Sequence, residues 1–151
     1  MLRITRQTDY GIVLLTRFAG APLGTVKNAP DLAVEGGLPA PMVSKILKLL
    51  ARAGILASHR GAAGGYSLAR PAQEISVAEI VTALEGPIAM TECLSEAAPT
   101  CAIEPSCPSR PNWARINQAI EDALQRVNLL DMLPSGGSLV QVAPLAREVA
   151  R

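Results

Sequence analysis

The strongest constraint on the fold is a basic amphipathic helix pattern in residues 39–53. Its apolar residues recur every three or four positions, as on one face of a helix, and the other face carries hydroxyl and basic groups. The inward face holds Val43, Ile46, Leu47 and Leu50, and the outward face holds Ser44, Lys45, Lys48 and Arg52. Gly54 is suited to ending this helix. The pattern predicts a helix that packs on a core and exposes a basic surface.

The residues after this helix carry the signal of a β-hairpin. Residues 55–58 and 66–68 have strand character, and the glycines at 64–65 are predicted to supply the positive backbone angles of a tight turn between them. A two-stranded ribbon directly after a recognition helix is the wing of a winged-helix DNA-binding domain. His59 and Arg60 are then predicted to project from the wing toward DNA.

Two more helices are predicted upstream, the first over about Ile4–Phe18 and the second over about Ala29–Glu35. Asn28 can cap the second helix, and Pro30 lies in its first turn, where proline is tolerated. A glycine pair at 36–37 then makes a turn into the basic helix. Two helices joined by such a turn are typical of helix-turn-helix motifs, although a plain helical hairpin shares the pattern.

A capping box, in which Ser76 is followed three residues later by Glu79, predicts one further helix that ends near Glu85. The DNA-binding domain is therefore assigned to residues 1–87. The predicted fold class is mainly α with a small β-hairpin wing, extended by a long dimerisation helix at residues 112–133.

The charge distribution agrees with a DNA-binding N-terminal half. Residues 1–70 contain nine Lys and Arg against three Asp and Glu, whereas residues 71–151 contain five against ten. A basic half joined to an acidic half is expected of a DNA-reading module with an attached effector or pairing segment. Basic and hydroxyl side chains bind phosphates and base edges, although each could also be an ordinary solvated group. The predicted DNA contacts are Ser44, Lys45, Lys48, His59 and Arg60.

The only three cysteines lie in a proline-rich stretch, residues 88–111, which we call the cysteine loop: they are Cys93, Cys101 and Cys107. Thiolates favour zinc, copper(I) or iron–sulfur centres, although free cysteines can also be small buried apolar residues. Seven and five residues separate them, unlike the two-residue spacing of zinc ribbons and dithiol redox motifs. With three thiolates, a fourth ligand is needed, and Glu92, Glu104 or an acid from elsewhere in a dimer could supply it.

The longest periodic segment covers residues 112–133 and carries one narrow apolar seam. Its members are Trp113, Ile116, Ile120, Leu124, Val127 and Leu130. A helix of this length would extend about 33 Å, too far for a small domain to cover. We therefore predict a homodimer through the seam, the alternative being a helix that folds back on its own domain. Residues 134–151 are predicted to be a flexible tail.

No apolar run reaches the length of a membrane span or of a secretory signal, since Ile12–Leu15 is only four residues long and Arg17 follows it closely. We therefore expect a cytoplasmic protein without membrane partners. A Cys-x-x-Cys pair, a catalytic histidine next to a cysteine and a phosphate-binding glycine loop are all missing from the sequence. The chain is accordingly predicted not to be an enzyme.

Several ordered motifs across residues 1–133 resemble the IscR/NsrR type of iron–sulfur winged-helix repressor. The motifs are Thr8-Asp9-Tyr10, Val43-Ser44-Lys45-Ile46-Leu47, Ala53-Gly54-Ile55-Leu56, the wing over residues 60–71 and the three cysteines. Two further motifs look most like the subgroup that regulates the SUF iron–sulfur assembly operon. These are Leu84-Glu85-Gly86-Pro87-Ile88 and the pair Asn112-Trp113 with Ile116-Asn117.

The resemblance implies a dimeric repressor whose affinity for DNA depends on a bound [2Fe-2S] or [4Fe-4S] cluster. IscR-like members have a histidine ligand three residues after the last cysteine, where this chain has Arg110. NsrR-like members take an aspartate from the first helix of the other subunit, and Asp9 occupies that position. The implied ligand set is therefore the three cysteines with Asp9. The alternative is a winged-helix regulator that senses oxidants by thiol chemistry or holds zinc.

Overall fold

In a computed structural model of the chain, residues 4–95 and 101–134 are described, and within them helices dominate. The elements are α1 Arg6–Ala19, α2 Ala29–Gly36, α3 Ala40–Arg52, β1 Leu56–His59, β2 Gly65–Leu68, α4 Val77–Glu85 and α5 Arg110–Gln125. The predicted fold class, mainly α with a small β wing, is confirmed. None of the described helices is long and apolar enough to cross a membrane.

The core of the domain lies where α1, α3 and α4 meet. The inward face of α3 is fully buried, as the helical spacing of its apolar residues predicts. Gly11 permits a close approach of α1 to α4, because a Cβ atom at this position would overlap Leu84 Cδ1. Among the described residues, the fully buried apolar side chains include Leu14, Leu15, Leu32, Val43, Ile46, Leu47, Leu50, Ile55, Ile75, Ile80 and Leu129.

Local capping signals fix where the helices begin. The Asn28 side chain accepts a hydrogen bond from the Asp31 amide at the start of α2. At the start of α4, the Ser76 hydroxyl accepts from the Glu79 amide and the Glu79 carboxylate accepts from the Ser76 amide. These hydrogen bonds confirm both predicted caps. They satisfy first-turn amides that have no partner within the helix.

The wing is an antiparallel hairpin with Leu56 opposite Leu68 and His59 opposite Gly65. The connection differs from the predicted tight turn, since it spans residues 60–64 and its left-handed residue is Gly61, at φ 107°. Gly64 is needed for space, because a Cβ atom there would lie 2.6 Å from the His59 carbonyl oxygen. The edge of β2 also pairs with Lys27, which holds the wing against the start of α2.

The chain after α5 returns to the winged domain instead of continuing as a helix. α5 ends at Gln125, short of the expected end at residue 133. The Val77 amide donates to the Val127 carbonyl and the Leu129 amide donates to the Ile75 carbonyl, both at 2.8 Å. Leu129 is fully buried in the core. Burial of this leucine therefore anchors the C-terminal end of α5.

The return also shortens the apolar seam. Val127 and Leu130 lie beyond the end of α5, so the part of the seam on the helix is Trp113, Ile116, Ile120 and Leu124. Of the predicted tail, only residue 134 falls within the described residues.

Candidate DNA-binding surface and cysteine site

The predicted DNA contacts of α3 lie together on its outward face, where solvent can reach them. Lys45 and Lys48 are exposed and Ser44 is half-buried, while the opposite face of the helix is packed into the core. Because that face is fully buried, α3 is fixed in rotation about its own axis. The geometry allows the two lysines to contact phosphates and Ser44 to reach a phosphate or base edge.

In the wing, the two predicted DNA contacts occupy different environments. Arg60 is exposed at the first position of the connecting loop. His59 Nε2 lies 2.8 Å from the hydroxyl oxygen of Ser67, which is only 4% exposed. One ring nitrogen of His59 is therefore engaged within the ribbon, whereas the Arg60 side chain is exposed, and a DNA contact by either residue stays a prediction.

An ion pair links the exit of the wing to α4. Arg70 donates to the Glu79 carboxylate and also to the Glu74 carbonyl. Partial burial favours the neutral form of Glu79, but hydrogen bonds from Ser76 and Arg70 outweigh it and hold the pKa of Glu79 below its ordinary value of 4.5. A lowered pKa means that ionised Glu79 stabilises the folded state above about pH 4.5, and that this contribution disappears as pH falls through the folded pKa.

We expect Glu79→Gln to lower the free energy of unfolding at pH 7 by about 1 kcal/mol, a figure reduced for the partial exposure of this pair. At pH 3.5 the difference between wild type and variant should shrink, because this pH lies below the ordinary glutamate pKa of 4.5 and the unfolded state already binds the proton. Urea unfolding followed by circular dichroism at both pH values measures this. Glu74→Gln is the matched control on an exposed neighbour, and an unchanged Glu79→Gln difference at the two pH values would contradict the expectation.

The cysteine loop brings two of its thiols to the start of α5. Cys101 and Cys107 are half-buried and line one concavity of about 820 Å³, together with Arg110. The Arg110 amide donates to the Cys107 carbonyl at 3.4 Å, as α5 begins. All three cysteines of the chain are free thiols.

Cys93 reaches the same region from the other side of the loop. It lies in a short 3-10 turn, Glu92–Leu94, where its sulfur is 3.2 Å from the Thr91 hydroxyl. Arg110, one of the residues lining the concavity, donates from Nη2 to the Cys93 carbonyl at 3.4 Å. The Arg110 guanidinium thus connects the Cys93 backbone with the concavity that Cys101 and Cys107 line.

The donor set fits a soft metal or an iron–sulfur cluster in its chemistry, since three free thiols lie in one loop. In the single chain, and within residues 4–95 and 101–134, no three Cys, His, Asp or Glu side chains form a metal-binding group. The cysteines would therefore have to move together, or be joined by a ligand from a second subunit, to hold one ion or cluster.

The three carboxylates considered as fourth ligand differ in setting. Asp9 is exposed in the first turn of α1. Glu92 is exposed next to Cys93, and Glu104 begins the short helical turn that precedes Cys107. Glu92 and Glu104 belong to the cysteine loop, whereas Asp9 belongs to the winged domain. A ligand role for any of the three stays a prediction.

Asn117 on α5 contacts the first part of the cysteine loop. Its side-chain amide makes two hydrogen bonds to the backbone between α4 and Cys93. Residue-by-residue reasoning missed this role, because an asparagine on a helix gives no local sign of a partner 27 to 29 positions away.

The exposed face of α5 carries large apolar side chains. Trp113 is 39% and Ile116 is 45% exposed, and α5 has no buried residue. Large apolar groups that are exposed side by side are expected to pair with another surface.

Comparisons with known proteins agree with this architecture. The chain is 32% identical to a protein named as an HTH-type transcriptional regulator in Mycobacterium tuberculosis, covering 96% of this chain and 89% of that protein. It is similar in structure to CymR, the global cysteine regulator of B. subtilis, with 28% identity, a TM-score of 0.67 and coverage of 87% and 96%. It is also similar to IscR of T. potens, with 26% identity, a TM-score of 0.57 and coverage of 87% and 85%.

These relatives are regulators of transcription, which confirms that the chain is not an enzyme. The family model for Rrf2, described as an iron-dependent transcriptional regulator, matches residues 4–135. This chain therefore belongs to the Rrf2 family of winged-helix transcriptional regulators.

Proposed function

We propose that this chain is a homodimeric repressor of iron–sulfur assembly genes, and that it senses iron–sulfur status through a cluster held by its three cysteines. Asp9 from the partner subunit is the proposed fourth ligand. The observation that carries the proposal is the convergence of the cysteine loop on the start of α5, where Cys101, Cys107 and Arg110 share one concavity. The likeness to IscR of T. potens, at 26% identity, supports the same proposal.

When bound, an iron–sulfur cluster supplies a redox-active group that oxidants can destroy. The chain's own part is to connect the loop with the DNA-binding surface. Arg110 at the start of α5 contacts the Cys93 carbonyl, and Leu129 beyond the end of α5 is buried in the winged domain. A change in loop packing would therefore shift α5 relative to α3. Coupling of about 1.4 kcal/mol is enough to change operator affinity tenfold.

DNA binding through α3 and the wing predicts a specific salt dependence. Lys48→Ala and Arg60→Ala are each expected to weaken operator binding. Each should also make the negative slope of log K against log salt shallower by about one, because each removes one phosphate-neutralising charge. Mobility-shift titrations at several salt concentrations measure both effects. Arg115→Ala, an exposed charge on α5, is the matched control. If both variants bind with the affinity and slope of wild type, these residues are not DNA contacts.

The proposed dimer sets the form of the operator. A two-fold dimer formed through Trp113 and Ile116 on α5 would place its two α3 helices in major grooves about one helical turn apart, or a multiple of it. Hydroxyl-radical footprinting on the same operator should show two protected half-sites related by symmetry. A single protected half-site would contradict the dimer.

A second candidate function is sensing by thiol oxidation without a cluster. The likeness to CymR, the global cysteine regulator of B. subtilis, favours it, and so does the presence of three free thiols. In that case the protein would carry neither iron nor sulfide, and mild oxidation would form a disulfide among the three cysteines that mass spectrometry detects. Stoichiometric zinc in the purified protein would identify the remaining alternative.

A further inference from the structure

The Asn117 side chain ties the segment that carries Cys93 to α5. Asn117 Oδ1 accepts a hydrogen bond from the Met90 amide at 2.9 Å, and Asn117 Nδ2 donates to the Ile88 carbonyl at 2.9 Å. Both partners lie in residues 88–95, which we call the Cys93 arm. The two contacts agree on one orientation of the amide, since a backbone N–H requires the oxygen and a carbonyl requires the nitrogen.

The chemistry of the arm explains why an asparagine is placed there. The arm leaves α4 at Gly86 and contains only the short 3-10 turn Glu92–Leu94, so regular structure does not pair the Ile88 carbonyl and the Met90 amide. Asparagine offers one donor and one acceptor on a short stem. In a helix interior it is a weaker former than alanine by about 0.5 kcal/mol, a cost that two partly buried hydrogen bonds offset.

One longer contact joins the arm to α5, and another lies within the arm itself. Arg110 Nη2 reaches the Cys93 carbonyl at 3.4 Å, a long distance for a hydrogen bond, and the Thr91 hydroxyl lies 3.2 Å from Cys93 Sγ. Asn117 therefore makes the two shorter contacts that tie the arm to another element, three and five residues before Cys93.

We infer that Asn117 is a positioning residue that presents the Cys93 thiol toward the start of α5, where Cys101 and Cys107 lie. The inference rests on the proposed function, in which the three cysteines act on one cluster. It adds a specific requirement: Cys93 is held in place by protein contacts before any cluster binds.

The test compares Asn117→Ala with Gln118→Ala, which removes the neighbouring side-chain amide on the exposed face, where it donates to Asp122 of the same helix. In the cluster-free full chain, alkylation of Cys93 by iodoacetamide is followed by peptide mass spectrometry. Cys93 is half-buried, so its alkylation should accelerate at least threefold in Asn117→Ala and stay unchanged in Gln118→Ala. Alkylation of Cys107 serves as the internal reference.

Asn117→Asp provides an independent check, because it keeps the acceptor for the Met90 amide and loses the donor to the Ile88 carbonyl. Its alkylation rate should fall between those of wild type and Asn117→Ala, and it decides the question if Asn117→Ala does not fold. After anaerobic reconstitution, Asn117→Ala should also lose its visible absorption faster than Gln118→Ala does.

Equal alkylation of Cys93 in wild type and in both Asn117 variants would overturn the inference, whatever the state of the cluster. Accelerated alkylation in a protein that never takes up iron and sulfide would support the positioning role and reject the cluster. The two failures are therefore distinguishable.

Discussion

Leu129→Ala is expected to lower the free energy of unfolding by about 2–5 kcal/mol, the range observed when a buried leucine is truncated in a packed core. Leu129 is fully buried, and its amide donates to the Ile75 carbonyl at 2.8 Å. Urea unfolding followed by circular dichroism measures the loss. Leu130→Ala is the matched control, because Leu130 is 46% exposed. Its truncation should lower the free energy of unfolding by no more than about 1 kcal/mol.

The comparison also tests the path from the loop to the DNA-binding surface. The Leu129 anchor is one of the contacts that join the end of α5 to the winged domain, together with the pairing of Ser76 with Asn128. In Leu129→Ala the operator affinity should become less sensitive to the state of the cysteines. Equal stabilities of Leu129→Ala and Leu130→Ala would show that the return segment is not docked, and the proposed path would fail.

Replacing any one of Cys93, Cys101 and Cys107 by alanine is expected to reduce cluster retention at least 100-fold. Losing a direct thiolate ligand should reduce cluster retention by more than the 10–100-fold typical of changing a residue that only supports a ligand. Anaerobic reconstitution followed by visible absorption and iron and sulfide analysis measures it. Ser106→Ala, adjacent to Cys107 and bonded to the Ile103 carbonyl, is the matched control in the same loop.

The same assay examines the fourth ligand. Asp9→Ala should weaken retention if the partner subunit supplies this carboxylate, whereas Glu92→Ala should leave it unchanged. The reverse result would move the ligand into the cysteine loop. Full retention in all three cysteine variants would contradict the cysteine site itself.

The sequence predicted the features that depend on neighbours within one turn of chain. The Asn28 cap, the Ser76–Glu79 capping box and the buried face of α3 all follow from residues three or four positions apart, and all are confirmed. The fold class followed from their order, since a hairpin directly after a basic helix has few other structural solutions.

Features set by distant contacts could not be predicted in the same way. The early end of α5 results from burial of Leu129 against residues more than 50 positions earlier, and its apolar spacing gave no sign of the return. The role of Asn117 depends on backbone groups 27 and 29 positions away. The wing turn was predicted only in part: Gly65 has a positive φ, at 159°, but Gly64 is required for close approach to the His59 carbonyl, and a further positive φ lies at Gly61.

The most direct test of the central claim is operator affinity of anaerobically purified protein, measured before and after its cluster is removed by a chelator and oxidant. The account predicts a coloured protein that contains iron and sulfide and whose affinity changes at least tenfold on removal, a coupling of about 1.4 kcal/mol. A colourless protein that takes up neither iron nor sulfide on reconstitution, or an affinity that is the same in both states, would contradict it.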